Sequence, residues 1–361
     1  MAKKRVWIVG GGESAERDVS VVSARTIFHA LDPKKYEKEL IWISPQGQWI
    51  KKDIIFIEQF EKVKISQTAH SSKNLSSLSL SEGFHVKTLP EIVFPVLHGP
   101  LGEDGSIQGF LEMIHVPYVG CGILASALGM DKEFAKILAE RANIPVLPYF
   151  CIYDLKEAEN VARKLGFPVF VKPARLGSSV GISKVTSMGQ LLPAVKNAFQ
   201  YDTKVLIEKA IEPREIECAV LGDPHSFEPR FQLRASALGE VVPHSEFYDY
   251  KTKYLAQNEA GREIPARLSV RQTRQIQDYS LRIFKALDGY GLGRVDFLID
   301  KKTNKVYFNE INTLPGFTST SMYPALWEFS GIKIQSLMDI LIELALKRGA
   351  ATRRLKKTPL V

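Results

Sequence analysis

Cysteine is scarce in this sequence, and a long hydrophobic run is missing. The 361 residues contain only Cys121, Cys151 and Cys218, with no CxxC pair. A sparse, odd count favours reduced thiols in the cytoplasm. Each cysteine is predicted to be a buried side chain that packs in the core without a partner that would activate its thiol. No apolar run reaches the roughly 20 residues of a membrane span, and the short run at residues 5–9 predicts a first strand instead of a signal peptide. We therefore expect a cytoplasmic protein without a membrane segment.

The common phosphate-binding motif GxxxxGK[ST] is also missing. Residues 7–15, WIVGGGESA, do fit the relaxed dinucleotide-binding fingerprint, with glycines directly after a predicted strand. The second predicted strand, residues 38–43, ends without the acid that would bind a ribose, which disfavours a nicotinamide dehydrogenase. A glycine turn that presents Glu16 and a helix N-terminus to a small ligand is favoured. A helix cap with a surface pair of Glu16 and Arg17 is the structural alternative.

The net charge of +8 comes from 48 Lys and Arg against 40 Asp and Glu. The excess is spread thinly, and no basic stripe with interleaved aromatic residues accompanies it, so nucleic acid binding is not expected. A phosphate-bearing small molecule explains the cations equally well. The densest basic cluster is the C-terminal tail, which we expect to be solvated surface. It contains Lys347, Arg348, Arg353, Arg354, Lys356 and Lys357.

The order of predicted elements indicates an α/β protein with more than one domain. A chain of this length is expected to form two or three domains. At the N-terminus, strands alternate with a helix, which predicts a parallel α/β unit. A serine-rich stretch at residues 68–81 predicts a surface loop. The predicted strands are 5–9, 38–43 and 92–97, and the predicted helices are 19–31, 107–114, 131–142 and 334–346.

A glycine- and serine-rich segment follows the strand that carries Lys172. Residues 174–183 read ARLGSSVGIS, with Gly177 and Gly181 flanking two serines. Flexible glycines, backbone N–H groups and hydroxyls can form a cradle for phosphate oxygens. A second lysine, Lys209, ends a later apolar strand, and we expect the two lysines to bracket the loop. A mobile hairpin is the alternative interpretation.

Two predicted strands near the C-terminus carry acids at their ends. Glu310 and Asn312 are two residues apart, so their side chains point to the same face of a strand. Carboxylate and carboxamide oxygens suit a hard cation such as Mg²⁺. Asp296, with Arg294 beside it, lies on the preceding strand. The pattern predicts a metal–phosphate site, and an ordinary hairpin with polar ends is the alternative.

Two further segments are candidates for ligand contacts. His98 ends a predicted strand in FPVLHG and could orient a ligand, although a core histidine with satisfied hydrogen bonds is also plausible. Residues 244–255, HSEFYDYKTKYL, combine three tyrosines and two lysines. This composition suits a lid that closes over a charged substrate and excludes water.

Taken together, these motifs resemble the D-alanine–D-alanine ligase family of the ATP-grasp superfamily. The resemblance covers nearly the whole chain and keeps the family order: GGGESAERDVS, FPVLHGPLGEDGSIQG, ALGMDKEFAK, VKPARLGSSVGISKV, LIEKAI, EFYDYKTKY, GLGRVDF and FNEINTLPGFTSTS. It implies an α/β fold with an N-terminal Rossmann-like parallel-sheet domain and two ATP-grasp α+β domains. The implied domains are residues 1–128, 129–221, with the glycine and serine loop, and 222–361, with the lid and the metal site.

The resemblance also implies a role for individual residues. Glu16 would hold the ammonium of the first D-alanine near His98, and Ser178 and Tyr254 would join Glu16 in a bridge that latches the lid. The remaining roles fall into five groups. The ATP phosphates would contact Lys132, Lys172 and Lys253 under the loop of Gly177, Ser179 and Gly181, and adenine and ribose would contact Glu208, Lys209 and Glu215. Metal would be bound by Asp296, Glu310 and Asn312, an oxyanion would be stabilised by Arg294 and the Gly316 N–H, and the second substrate would be received by Ser321 and the Met322 amide.

The activity implied is ATP-dependent ligation of two D-alanines through a D-alanyl phosphate, with release of ADP and phosphate, for peptidoglycan precursors. ATP, D-alanine and two Mg²⁺ or Mn²⁺ ions are the implied ligands, K⁺ is a candidate monovalent cation, and a homodimer is expected. Relatives that make D-alanyl-D-lactate tend to alter the position of Tyr254, so its retention favours an amine acceptor. A D-alanine–D-lactate ligase and a non-catalytic ATP sensor are the alternatives.

Overall fold

Three β-sheets, each formed by a separate stretch of the chain, organise the protein. The structure is a computed structural model, and it describes residues 2–14, 16–56, 89–243 and 260–355. The serine-rich stretch, the predicted lid with Lys253 and Tyr254, and the tail lysines Lys356 and Lys357 lie outside the described residues. No helix in the described ranges is long and apolar enough to cross a membrane.

The elements are numbered along the chain within these ranges. The strands are β1 (Lys4–Gly11), β2 (Tyr36–Ile43), β3 (Trp49–Lys52), β4 (Ile92–Pro95), β5 (Tyr149–Ile152), β6 (Val169–Pro173), β7 (Ser183–Val185), β8 (Val205–Lys209), β9 (Pro213–Gly222), β10 (Arg234–Pro243), β11 (Ala260–Glu263), β12 (Gly291–Asp300) and β13 (Val306–Asn312). The helices are α1 (Arg17–Ala30), α2 (Ser106–Met113), α3 (Ile123–Met130), α4 (Lys132–Arg141), α5 (Ala158–Leu165), α6 (Met188–Ala198), α7 (Val270–Ala286), α8 (Met322–Phe329) and α9 (Ile334–Arg353).

The first sheet confirms the predicted parallel unit. Its order is β3-β2-β1-β4, and β1 pairs in parallel with both β2 and β4. Alternating residues such as Val6 and Ile8 are fully buried in the core that α1 covers. β4 ends at Pro95, two residues before the predicted end, although the N–H of Val96 still donates to the carbonyl of Val9. Parallel strands place their carboxyl ends at one edge, so the glycine turn after β1 and His98 after β4 lie at the same edge.

The second sheet is antiparallel and supports the glycine and serine loop. Its order is β5-β8-β6-β7, and the loop joins β6 to β7. Val171 and Ile207 from neighbouring strands are fully buried and share a core with Leu191 of α6. The loop is therefore held at both of its ends by hydrogen-bonded strands.

The third sheet carries the acids of the predicted metal site. Its order is β11-β10-β9-β12-β13, and its described pairs are antiparallel. All strand partners of β9 belong to this sheet, so the expected domain boundary at residues 221/222 falls at the end of a strand of the third sheet. By sheet membership, the second sheet ends at Lys209 and the third begins at Pro213.

Helix α4 begins where the sequence predicts a helix and is fixed at its N-terminus. The carboxylate of Asp131 accepts hydrogen bonds from the N–H groups of Glu133 and Phe134, which is the usual N-cap geometry. The ammonium of Lys204 lies 2.6 Å from the Asp131 carboxylate. The helix therefore has a defined start and direction, and its first residue is Lys132.

The basic C-terminal segment is not purely solvated surface. Arg348 donates to the carbonyls of Gly120 (2.7 Å) and Tyr118 (2.9 Å), and its guanidinium lies between the rings of Tyr118 and Tyr290. These contacts join α9 to the first unit, and the helix continues to Arg353, seven residues beyond the predicted end.

An Arg348→Met variant is expected to lower the free energy of unfolding by about 2–3 kcal/mol, because it removes two charge-assisted hydrogen bonds and the ring contacts. Urea unfolding followed by circular dichroism measures this change. Arg353→Met, at an exposed position of the same helix, is the matched control. Equal losses of unfolding free energy in the two variants would show that the Arg348 contacts with Tyr118, Gly120 and Tyr290 do not stabilise the protein.

Candidate active site

The glycine turn of the first unit touches the glycine and serine loop of the second. The hydroxyl of Ser178 donates to the carboxylate of Glu16, which is buried. A Cβ at Gly177 would lie 3.4 Å from Glu16 Oε2, and one at Gly99 would lie 2.7 Å from the same oxygen. Because side chains at these positions would crowd the carboxylate, the glycines allow the backbone to approach it closely. Glu16 and Ser178, predicted to interact, lie together.

The glycine and serine loop has a constrained turn. Ser178 (φ 54°) and Ser179 (φ 59°) both adopt the left-handed conformation, which is uncommon for residues with a side chain. Gly181 has φ 73°, and a Cβ there would lie 2.8 Å from both Pro173 and Tyr201. Unfavourable conformations of this kind persist where surrounding contacts hold them, and they cluster at ligand-binding sites. The contacts hold the loop in one conformation, which disfavours the mobile hairpin.

Lys132 links this loop to the acids of the third sheet. Its ammonium donates to the carbonyl of Leu176 (2.7 Å) and lies 3.3 Å from Glu310 Oε2. The backbone N–H of Lys132 also donates to Ala174 at 2.9 Å, so the start of α4 is attached to the start of the loop. One cation therefore lies between the predicted phosphate loop and a predicted metal ligand.

Lys172 belongs to a buried cluster of three charged groups. Its ammonium donates to Glu208 Oε2 at 2.6 Å, and the ammonium of Lys136 lies 2.5 Å from Glu208 Oε1. Burial alone would raise the pKa of Glu208, but the two ammonium groups outweigh it and lower the pKa to about 2. Desolvation lowers the pKa of Lys136, and Glu208 opposes that shift. Sequence reasoning missed Lys136; its position one helical turn after Lys132 was the available signal.

Lys209 does not join this cluster, and Glu215 belongs to a different sheet. Successive residues of a strand point to opposite faces, and Lys209 donates to the carbonyls of Gly166 (2.8 Å) and Phe167 (3.2 Å). Lys172 and Lys209 therefore do not converge on the loop as a pair. Glu215 is half-buried on β9 of the third sheet, so the predicted adenine and ribose contacts come from both antiparallel sheets.

The acids predicted to bind metal face each other across β12 and β13. Asp296 pairs in register with Glu310, and Arg294 pairs with Asn312. The Arg294 guanidinium donates to both oxygens of Asp296, at 2.8 and 2.6 Å. The amide oxygen of Asn312 accepts the N–H of Leu314 at 2.9 Å and so shapes the following turn.

A further acid, Glu217, was not predicted. It is buried on β9, in register with Asp296, and its carboxylate lies 3.0 Å from Arg294 Nε. The signal in the sequence was its spacing of two residues from Glu215, which predicts that both acids point to the same face. Arg294 therefore contacts two buried carboxylates from two neighbouring strands.

The donor set on β12 and β13 suits a hard cation. The described residues contain no group of three or more His, Cys, Asp or Glu side chains that could hold a metal by themselves. Asp296 and Glu310 supply two carboxylates in register, and the oxygen of Asn312 lies on the Glu310 face of the same strand. Mg²⁺ is usually bound by one or two carboxylates together with substrate phosphates, so this set fits a cation that arrives with a nucleotide.

The turn after β13 brings the last predicted residues together. A Cβ at Gly316 would lie 2.9 Å from Ser321 Oγ, and the N–H of Phe317 donates to Ser23 of α1 at 3.0 Å. Ser321 precedes α8, and its hydroxyl accepts the N–H of Thr318 at 2.9 Å. Met322, the first residue of α8, is buried. The turn is thus attached to both the first unit and the third sheet.

His98 is buried at the edge of the first sheet. Its Nδ1 lies 3.3 Å from Glu103, and its carbonyl accepts the hydroxyl of Ser14 at 2.6 Å. Nε2 has no hydrogen-bond partner among the residues that the structure describes. A cavity of about 200 Å³, lined partly by Trp49 and Phe110, adjoins this histidine.

The cysteines take no part in this site. Cys121 and Cys218 are buried as predicted, and desolvation raises the pKa of each thiol to about 11. Cys151 is only partly buried. Thiols with a raised pKa stay protonated near neutral pH and are poor nucleophiles.

The arrangement defines the class of protein. Two antiparallel sheets present lysines, a held glycine loop and paired acids to one region, and a parallel-sheet domain contributes Glu16 and His98. Cations beside a glycine loop neutralise phosphates, and the paired acids can hold the accompanying cation. The fold is that of the ATP-grasp class.

Comparison with known proteins identifies the family. The family model described as D-ala D-ala ligase N-terminus matches residues 5–121, and the model described as D-ala D-ala ligase C-terminus matches residues 138–343. The chain belongs to the D-alanine–D-alanine ligase family. A D-alanine–D-alanine ligase of Caldicellulosiruptor bescii is 43% identical, with 99% of each chain covered.

Solved structures agree with this assignment. The D-alanine–D-alanine ligase from Coxiella burnetii has a TM-score of 0.80 and 33% identity, with 98% of this chain and 97% of that chain covered. The VanG D-Ala:D-Ser ligase from Enterococcus faecalis also has a TM-score of 0.80 and 33% identity, with 95% and 100% covered. The fold is thus shared by ligases with different second substrates.

Proposed function

We propose that this protein joins two D-alanines in an ATP-dependent reaction that passes through D-alanyl phosphate and releases ADP and phosphate, supplying peptidoglycan precursors. A carboxylate is a poor acyl donor, so it must be activated before an amine can attack it. The observation that carries the proposal is the position of Lys132, between the glycine loop at Leu176 and the acid Glu310. This position supports the proposal, because an ammonium between the loop and Glu310 could neutralise a phosphoryl group bound there.

The nucleotide is proposed to bind between the second and third sheets. Transfer of a phosphoryl group needs positioning and charge neutralisation more than covalent assistance. Lys132 and Lys172 would neutralise the phosphates, together with Lys253 of the predicted lid, and the loop of Gly177, Ser179 and Gly181 would cover them. Adenine and ribose would contact Glu208, Lys209 and Glu215.

Asp296, Glu310 and Asn312 are proposed to hold two Mg²⁺ or Mn²⁺ ions. Such ions neutralise the developing charge and align the reacting oxygens. In this structure Arg294 donates to Asp296 and also contacts Glu217, which is not among the proposed ligands. Glu217 could therefore keep the guanidinium in place when Asp296 binds a cation.

The two amino acids are proposed to bind to separate sets of residues. Glu16 would hold the ammonium of the first D-alanine, with His98 near its carboxylate and Ser178 and Tyr254 completing the bridge over it. Ser321 and the Met322 amide, at the N-terminus of α8, would receive the carboxylate of the second, because helix N-termini bind anions. Arg294 and the N–H of Gly316 would stabilise the tetrahedral oxyanion.

We further propose a cytoplasmic homodimer and K⁺ as an additional cation. The domain division at residues 128 and 221 is proposed on the basis of the motif order. Size-exclusion chromatography with light scattering tests the dimer, and replacement of K⁺ by Na⁺ in the assay tests the monovalent cation.

The acceptor is the point at which related functions differ. D-lactate and D-serine are the alternatives, the second because a D-Ala:D-Ser ligase has the same fold. ADP release with D-alanine, L-alanine, D-serine and D-lactate, at pH 6 and pH 8 with product identification, tests this. D-alanyl-D-alanine is expected as the main product. Tight ATP binding without D-alanine-dependent ADP release would instead support a non-catalytic sensor.

A Glu16→Gln variant is expected to raise the KM of the first D-alanine by about 10–100-fold. The amide keeps an acceptor for Ser178 but loses the charge that would pair with the ammonium, and such bonds contribute about 1.5–3 kcal/mol. Initial rates against D-alanine concentration measure the change. Glu13→Gln, at an exposed position of the same glycine turn, is the control. An unchanged KM in Glu16→Gln would exclude the assigned contact.

A further inference from the structure

Lys136 is a buried lysine for which the proposed function gives no role. Its side chain is 1% exposed, and its ammonium lies 2.5 Å from Glu208 Oε1. The other oxygen of Glu208 accepts the ammonium of Lys172 at 2.6 Å. Glu208 is thus shared by two lysines, of which only Lys172 is proposed to contact phosphate. Burying an ammonium carries a desolvation free-energy cost, so a lysine retained at this position is expected to have a specific role.

The contacts of Glu208 in this cluster suggest such a role. Because the pKa of Glu208 is about 2, its carboxylate is ionised at neutral pH. Each oxygen of this carboxylate lies against a different lysine, Oε1 against Lys136 and Oε2 against Lys172. With Lys136 removed, both oxygens of Glu208 would be available to Lys172, and the carboxylate would hold that ammonium more tightly and compete with the phosphates for it.

We propose that Lys136 is a positioning residue for the nucleotide. It binds one oxygen of Glu208, which orients the carboxylate and leaves the ammonium of Lys172 able to attract the ATP phosphates. The inference rests on the proposed function, since it assumes that a nucleotide binds beside Lys172. Lys132, one turn earlier on α4, contacts the loop directly. The same helix would therefore act on the phosphates directly through Lys132 and indirectly through Lys136 and Glu208.

The first test is a Lys136→Met variant. Methionine keeps the length of the side chain, and Glu208 retains Lys172 as a partner, so the fold is expected to persist. We expect the Kd of Mg²⁺–ATP, measured by calorimetry without D-alanine, to rise by about 10–100-fold. The KM of D-alanine should stay within about twofold of wild type. Lys136→Arg, which retains the charge, should restore most of the affinity.

A matched control separates this effect from general damage. Lys204 is another buried lysine, and it contacts Asp131 and Glu133 at the start of the same helix. Lys204→Met should bind Mg²⁺–ATP with near wild-type affinity even if its thermal unfolding midpoint falls. An affinity loss in Lys204→Met that matches Lys136→Met would overturn the inference. If Lys136→Met does not fold, Lys136→Gln is measured in its place.

A double-mutant cycle with Glu208→Gln gives the decisive readout. A neutral glutamine at position 208 does not hold the Lys172 ammonium away from the phosphates, so Lys136 is no longer needed to bind an oxygen there. Adding Lys136→Met to Glu208→Gln should therefore change the ATP Kd less than about threefold. Equal losses in both backgrounds would indicate a merely structural role and contradict the proposal. If wild type does not bind Mg²⁺–ATP, the proposed function itself fails; if it binds and Lys136→Met binds equally well, only this inference fails.

Discussion

A Glu310→Gln variant is expected to lose D-alanine-dependent ADP release by about 10³-fold or more, while the fold persists. Glutamine has the shape of glutamate but cannot offset the charge of a cation, and loss of one group that stabilises transition-state charge costs about 10²–10³-fold. The substitution also removes the ion pair with Lys132, which lies 3.3 Å away. A coupled ADP assay measures turnover, and calorimetry with Mn²⁺ and ADP measures metal binding independently of activity.

The control for this variant is an acid with an ion pair elsewhere. Glu343 on α9 lies 2.9 Å from Arg230, and Glu343→Gln should turn over normally. Circular dichroism and the unfolding midpoint show whether Glu310→Gln is folded. Near-normal turnover by folded Glu310→Gln would contradict the metal assignment. Glu310 would then be only a structural partner of Lys132.

An Arg294→Lys variant is expected to lower kcat by about 10²-fold with little change in the KM of ATP. Arginine can donate to two carboxylates and still present an N–H to an oxyanion, whereas lysine is a point charge without this planar geometry. Arg294 contacts Asp296 at 2.8 and 2.6 Å and Glu217 at 3.0 Å. Steady-state kinetics separate kcat from KM.

A second arginine on the same sheet provides the matched control. Arg214 on β9 makes a two-point contact with Glu240, at 2.8 and 2.5 Å, outside the proposed site. Arg214→Lys should affect stability by a similar amount but leave kcat near that of wild type. If Arg294→Lys keeps a normal kcat, another group must supply the oxyanion contact.

Much of the local structure is predictable because it depends on short-range patterns. The parallel pairing of β1 with β2 and β4 follows from strands that alternate with a helix, and Val6 and Ile8 are buried as apolar strand residues are expected to be. Glu310 and Asn312 share a face because side chains alternate along a strand. Their strand pairs with the one that carries Asp296, as two successive apolar runs suggest.

Other features depend on chain folding over long distances. Ser178 contacts Glu16 from 162 residues away, and no periodicity within either segment specifies that contact. The spacing of Lys136 from Lys132 and of Glu217 from Glu215 only suggests a shared face, and it is their burial beside Glu208 and Arg294 that connects them to the site. Lys209, which resembles Lys172 in its position at a strand end, faces the turn at Gly166 instead.

The sequence by itself determined the family, because motif order and residue type are properties of the chain alone, and it supplied most of the charged residues proposed for the site. Only the tertiary structure decided which lysine and arginine side chains contact which carboxylates. Lys132 faces Glu310, Lys136 and Lys172 share Glu208, and Arg348 clamps the first unit to α9. The physical reason is that the strength of an ion pair depends on distance and burial, and both are set by packing between segments far apart in the chain.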